Sequence, residues 1–162
     1  MNKKLETMVE KIAKNLQIDP DLIKGIIMTE SGGNSKAESS YARGLMQISR
    51  AALKTINFKY RLNNSYDDLF DPKINVEVGT LYLKWLLEYF KGKYPLNPFY
   101  IIYALMAYNW GVGNVQKWLR SNNASNSWID ENVPQETKSY LLDTIWWYAY
   151  FKNRHCPPPE DR

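Results

Sequence analysis

Asp19-Pro20-Asp21-Leu22-Ile23-Lys24-Gly25-Ile26-Ile27-Met28-Thr29-Glu30, followed by Ser31-Gly32-Gly33, is punctuated as a single helix. Asp19 can accept a hydrogen bond from the first turn. Pro20 suits the first helical position, where its missing N–H would have had no partner, and the glycines permit a left-handed exit. Ile23, Ile26, Ile27 and Glu30 recur at offsets of three, four and seven, so the carboxyl group shares a stripe with three isoleucines. A carboxylate on that stripe loses hydration and faces the negative end of the helix dipole, and both effects favour the protonated form. A Glu kept neutral near neutral pH is what a general acid requires. Taken alone, the same position also suits a Glu turned out to solvent where the helix frays.

The same punctuation recurs along the chain. Asp71-Pro72 and Asn97-Pro98 repeat the N-cap followed by proline. Met8, Val9, Ile12, Ala13 and Leu16 form the apolar face of a first helix. Ile74, Val78, Leu81, Trp85 and Tyr89 mark a long one from Pro72 to about Gly92. Ile101, Leu105, Tyr108 and Asn109 keep helical spacing from Pro98 to Gly111, where Gly111 and Gly113 suit a turn between helices. Val112 to Leu119 reads as a short helix and Pro134 to about Lys152 as a long one. Strand-like alternation with hairpin turns is absent from this pattern, so the expected fold class is all-α. A single domain over residues 1–152 is expected, followed by a flexible tail over 153–162 that contains Cys156-Pro157-Pro158-Pro159. The polar stretches Ser31–Arg43 and Ser121–Asn132 are long loops for so short a chain, and loops of that length are often functional.

With 162 residues, 44% of them hydrophobic and 23% charged, the chain is long enough for one sizeable core and reads as globular. Twelve Tyr and six Trp are unusual. Aromatic faces line sugar-binding grooves because pyranose rings present flat C–H surfaces to them, although aromatic residues also fill cores. The net charge of +4 suits an anionic polymer without specifying one. No dense basic run or phosphate loop is present, so no nucleic-acid partner is expected. His155 is the only histidine and Cys156 the only cysteine. Usual zinc sites and a Ser-His-Asp triad therefore lack their residues, and no metal or cofactor is expected. Leu5 to Leu16 is amphipathic rather than continuously apolar, so no export signal is visible, and no stretch is long enough to span a bilayer.

Beyond Glu30-Ser31 come Gly44-Leu45-Met46-Gln47-Ile48, Ala107-Tyr108-Asn109-Trp110-Gly111-Val112-Gly113 and Pro134-Gln135-Glu136-Thr137-Lys138-Ser139-Tyr140. In that order and spacing, across roughly residues 5–150, these motifs resemble the soluble lytic transglycosylases, which cleave the glycan strands of bacterial peptidoglycan. The resemblance implies a lysozyme-like helical domain with a groove for the glycan. It makes Glu30 the catalytic acid, and Gln47 and Met46 part of the groove wall. Tyr108 matches the tyrosine whose hydroxyl approaches the catalytic carboxyl, with Asn109 beside it. Glu136 matches a second groove carboxylate and Tyr140 the aromatic one turn later. A substrate-contacting serine of the loop before Gly44 corresponds to Ser39 or Ser40, with Ser39 preferred. Apart from the family match, Gly44 and Met46 also suit simple packing, and Tyr108 suits the core. The loop after Glu30 is about one residue shorter than the common pattern, and Tyr41-Ala42-Arg43 replaces a segment that often carries a glycine.

Glycosidases usually pair two carboxylates, about 5 Å apart for retention or about 6.5–9.5 Å for inversion. Asp67, Asp68 and Asp71 read as turn and cap residues, which leaves Glu30 without a partner. The reaction implied by the resemblance uses one Glu as acid and then as base. It cleaves the bond between N-acetylmuramic acid and N-acetylglucosamine and closes a 1,6-anhydro ring. A goose-type lysozyme that hydrolyses the same bond, or a glycan-binding protein without activity, are the alternatives. The expected partner is the peptidoglycan strand, the expected assembly a monomer, and the expected place of action the cell wall, periplasmic or extracellular, in a bacterium or from a phage.

Overall fold

The computed structural model of the chain describes residues 1–121 and 131–153. The expected tail, with His155 and Cys156, and most of the loop expected at 121–132 lie outside the described residues. Helices dominate the rest: α1 (Lys3–Leu16), α2 (Pro20–Ser31), α3 (Arg50–Tyr60), α4 (Pro72–Lys93), α5 (Tyr100–Trp110), α6 (Val112–Ser121) and α7 (Gln135–Asn153). A single 3-10 turn covers Asp67–Phe70, and two-residue strands β1 (Ala42–Arg43) and β2 (Ile48–Ser49) pair antiparallel. The all-α expectation holds.

The caps are those the residues call for. Asn2 Oδ1 accepts from the Leu5 N–H at 2.9 Å and opens α1. Asp19 accepts from the Asp21 N–H at 3.0 Å, Pro20 is the first residue of α2, and Gly32 leaves it in left-handed conformation (φ 59°). Asp71 accepts from the N–H groups of Lys73 and Ile74 and opens α4. Ser65 and Asp68 cap each other reciprocally at the 3-10 turn. Asp19 also binds the Tyr148 hydroxyl at 3.1 Å and the Lys152 ammonium at 2.7 Å, tying α7 to the start of α2. Burial opposes ionisation of this carboxyl. The Lys152 ammonium, the Asp21 N–H and the Tyr148 hydroxyl outweigh it and hold the pKa below its ordinary value.

The chain forms two compact units: Met1–Tyr82 with Thr144–Arg162, and Leu83–Asp143. In the first, α1 packs on α2, and Val9, Ala13, Ile23, Ile26, Ile27, Met46, Ile48, Ile56, Leu69 and Val76 are almost wholly excluded from solvent. Gly25 lets α2 approach α7, since a Cβ there would lie 3.1 Å from the Thr144 carbonyl oxygen and the Tyr148 nitrogen. Lys24, 3% exposed, is neutralised by Glu10 at 3.0 Å and Asp21 at 3.1 Å. In the second unit α5 packs on α6. Phe90, Tyr94, Tyr103 and Trp118 form a run of stacked, tilted and edge-on rings, and Gln116 donates to the Tyr89 hydroxyl.

Three expectations about elements need correction. Asn97-Pro98 does not open α5, which begins at Tyr100. The Asn97 side chain accepts from the Phe99 N–H at 2.8 Å and closes a turn instead of capping the helix. Helix α3 has no counterpart among the expected helices, although Ser49 caps it through the Ala52 N–H at 3.1 Å and Ala52, Leu53 and Ile56 are buried. On α4 the expected Val78 and Leu81 are buried, but the buried side is centred on Asn75, Val76, Gly79, Leu83, Leu86 and Phe90, and Ile74, Trp85 and Tyr89 are only half-buried.

Candidate active site

Glu30 occupies the last turn of α2, half-buried, on the same helix as the fully buried Ile23, Ile26 and Ile27. The next residue ties that helix end to the loop between β1 and β2. Ser31 Oγ donates to the Leu45 carbonyl at 2.7 Å and accepts from the Gly33 N–H at 3.2 Å. Gly32 and Gly33 both have positive φ, so the chain reverses at once after the helix.

The connecting loop, Gly44 to Gln47, joins the two short strands. Gly44 has φ +77° and is buried; a Cβ there would lie 2.7 Å from Asn75 Cγ, so no other residue fits. Gln47 takes a left-handed conformation (φ 46°), a backbone state that costs a non-glycine residue about 1–3 kcal/mol and persists only where surrounding contacts impose it. The side chain itself supplies such contacts: Gln47 Nε2 donates to the carbonyls of Gly44 at 3.0 Å and Ala37 at 3.2 Å. Both of these bonds use the nitrogen, and both are made to the chain's own backbone.

Met46, expected on the groove wall, is 0% exposed. It lies against Gly79, where a Cβ would fall 2.9 Å from Met46 Cβ. It is therefore a core residue beneath the Gly44–Gln47 loop, with no surface open to solvent. Ser39 is exposed, and its hydroxyl accepts from the N–H groups of Ala42 at 3.0 Å and Tyr41 at 3.3 Å, which shapes the tip of the loop before β1. Ser40 is exposed beside it. Asp67 pairs with Arg43 Nη1 at 2.5 Å, and Asp68 and Asp71 serve as caps. These three carboxylates are thus engaged in holding the loop and the helix start.

The remaining expected residues fall in the second unit. Tyr108 is half-buried on the last turn of α5, and its ring lies parallel to that of the buried Tyr140 on α7, with centroids 6.4 Å apart and 4° between planes. Asn109 Oδ1 accepts from the Thr137 hydroxyl at 2.8 Å. Of the Glu136-Thr137 pair it is therefore Thr137, buried, that joins α7 to α5, while Glu136 is exposed in the first turn of α7. Gly111, with φ +91°, ends α5 as expected, and Gly113 sits in the first turn of α6.

Sequence reasoning missed Thr137 and Asn75 as site-building residues and gave Ser31 no role. Asn75 carries a readable signal: it is polar, yet it lies on the stripe Asn75, Gly79, Leu83, Leu86, Phe90 that the buried face of a helix requires. Among the described residues no group of three or more His, Cys, Asp or Glu is placed to hold a metal ion. No helix among them is long and apolar enough to cross a membrane.

Residues 7–130 match the family described as Transglycosylase SLT domain. The chain is 33% identical over 114 residues to membrane-bound lytic murein transglycosylase E of Buchnera aphidicola subsp. Baizongia pistaciae, covering 68% of this chain and 54% of that one. It is 42% identical over 114 residues to membrane-bound lytic murein transglycosylase C of Actinobacillus succinogenes, covering 66% of this chain and 31% of that one. Among solved structures it is similar to an inactive Glu→Gln mutant of lytic transglycosylase Slt from Pseudomonas aeruginosa, with a TM-score of 0.74, 27% identity, and coverage of 94% of this chain and 25% of that one. The chain thus spans from about half to a quarter of the length of these proteins.

Proposed function

We propose a function from the premise that the chain belongs to the transglycosylase SLT domain family, whose match spans most of its length. It is a lytic transglycosylase of peptidoglycan, acting at the cell wall as a monomer without metal or cofactor, and Glu30 carries both proton transfers. The protonated Glu30 carboxyl gives its proton to the glycosidic oxygen between N-acetylmuramic acid and N-acetylglucosamine as the bond to C1 breaks. The acetamido oxygen of the muramoyl sugar closes onto C1 and relieves the positive charge. The Glu30 carboxylate then removes the proton of the C6 hydroxyl, and O6 bonds to C1 and displaces the acetamido oxygen. The products are a 1,6-anhydromuramoyl end and a free N-acetylglucosamine hydroxyl. Glu30 has regained its proton, and water is not consumed.

The observation that supports this reading best is the tie between Glu30 and the Gln47 loop. The acid sits half-buried at the closed end of α2, and the residue after it holds the Leu45 carbonyl two residues before Gln47. The helix end that carries the acid and the loop that carries a candidate sugar-binding carboxamide are therefore joined by a hydrogen bond. Gln47, Ser39, Tyr108, Asn109, Glu136 and Tyr140 are proposed to hold the glycan, with Met46 supporting the Gln47 loop. The engagement of Asp67, Asp68 and Asp71 in structure favours a single-carboxylate mechanism over a hydrolytic pair. Incubated with purified murein, the protein should clear the suspension in the absence of any added metal and in the presence of a chelator. Retention on the murein without clearing would make it a binding protein.

A further inference from the structure

Two hydrogen bonds meet on one peptide group. The Leu45 carbonyl and the Met46 N–H belong to the same peptide plane. The carbonyl accepts from Ser31 Oγ at 2.7 Å and the N–H donates to Asn75 Oδ1 at 2.8 Å. Ser31 follows Glu30 directly, and Gln47 follows Met46 directly.

The Asn75 carboxamide is 0% exposed and has partners at both ends: besides accepting from Met46, its Nδ2 uses both protons, donating to the carbonyls of Arg43 at 2.8 Å and Leu69 at 2.9 Å. It thus binds the residue before Gly44, the residue after Leu45 and the end of the 3-10 turn to the first turn of α4. A buried polar group with every partner in place rigidifies its surroundings, and with one partner missing it is costly. Gly44 permits the close approach this requires. The loop therefore cannot slide along α4 without breaking a buried bond, or along α2 without breaking the half-buried Ser31 bond.

We infer that the Leu45–Met46 peptide is the reference point that holds Glu30 in register with Gln47, and that Ser31 and Asn75 are its two positioning residues. Neither needs to touch substrate. Ser31 fixes the acid's helix end to the loop, and Asn75 fixes the loop to α4. The catalytic consequence rests on the proposed transglycosylase reading, while the clamp itself does not.

The test compares Ser31→Ala with Ser31→Thr and adds Asn75→Ala, each checked for helicity by circular dichroism. With murein as substrate, Ser31→Ala should lower kcat about 10–100-fold while KM stays within about threefold, because a displaced acid loses alignment while the loop is still held by Asn75. Ser31→Thr, which keeps the hydroxyl, should recover kcat to within about threefold of wild type. A kcat for Ser31→Ala equal to wild type overturns the inference, and so does a Thr variant as slow as the Ala variant. Amide hydrogen exchange of Met46, read by NMR, is independent of activity. It should accelerate at least about tenfold in Ser31→Ala and more in Asn75→Ala, while the amide of buried Val9 keeps its rate. Unchanged Met46 exchange in Ser31→Ala overturns the clamp. If the wild-type protein does not cleave murein, the exchange result still decides it. If Asn75→Ala does not fold, the Ser31 pair decides alone.

Discussion

Glu30→Gln should remove the proposed murein-clearing activity while leaving a folded protein that still binds glycan strands. The amide keeps the shape and hydrogen-bonding capacity of the carboxyl but carries no transferable proton. Loss of a positioned acid commonly costs about 10²–10⁴-fold. In the proposed mechanism the same group is the acid of the first step and the base of the second, so the loss should reach the upper end of that range or exceed it. The melting temperature should hold or rise slightly. Glu30 lies half-buried at the C-terminal end of α2, where a carboxylate faces the negative end of the helix dipole and a neutral amide does not. Binding should persist because the contacts assigned to Gln47 and Glu136 are untouched. Clearing activity within about tenfold of wild type would remove Glu30 from the mechanism.

Gly44→Ala should be the most damaging single-methyl change in the first unit. Two effects add. Alanine is strained at φ +77°, and its Cβ would lie 2.7 Å from Asn75 Cγ, on a side chain held by three hydrogen bonds. Backbone strain and overpacking each cost about 1–3 kcal/mol. Together they should lower stability by about 3 kcal/mol or more, a fall in melting temperature of about 6–12 °C for a chain of this size. Gly113→Ala is the matched control, because that position is helical with nothing near its missing Cβ. The two variants compared by thermal unfolding decide the point: equal melting temperatures would mean that the loop yields, and that Gly44 is not required for the Asn75 contact.

Much of the fold was readable because it rests on local punctuation. Asp19-Pro20 and Asp71-Pro72 cap α2 and α4 as their side-chain chemistry dictates, and Gly32 and Gly111 end helices in the positive-φ states that glycine tolerates. Asn97-Pro98 has the same form but closes a turn, since an Asn side chain satisfies the N–H two residues on equally well outside a helix. Strands β1 and β2 are two residues each, too short to show alternation. The stripe chosen for α4 missed its centre because a buried Asn and a Gly interrupt the apolar pattern at the place where the Gly44–Gln47 loop presses on the helix.

Candidate site residues could be named from the sequence one by one, whereas the contacts that assemble them could not. Glu30 stood out because a carboxyl on an isoleucine stripe has a physical meaning without any partner. Gln47, Tyr108, Asn109, Glu136 and Tyr140 came through resemblance in motif order. What the sequence leaves silent is long-range pairing: Ser31 meets a carbonyl 14 positions away, Asn75 an amide 29 positions away, and Thr137 a carboxamide 28 positions away. Met46 illustrates the difference, since a motif residue expected at a groove wall is wholly buried.

The mass of the muropeptides released from purified murein tests the central claim most directly. If one carboxyl group acts first as acid and then as base, every new muramoyl end is a 1,6-anhydro sugar, lighter by one water than the reducing end that hydrolysis leaves. Products carrying reducing ends throughout would contradict the single-Glu mechanism and make the protein a hydrolase.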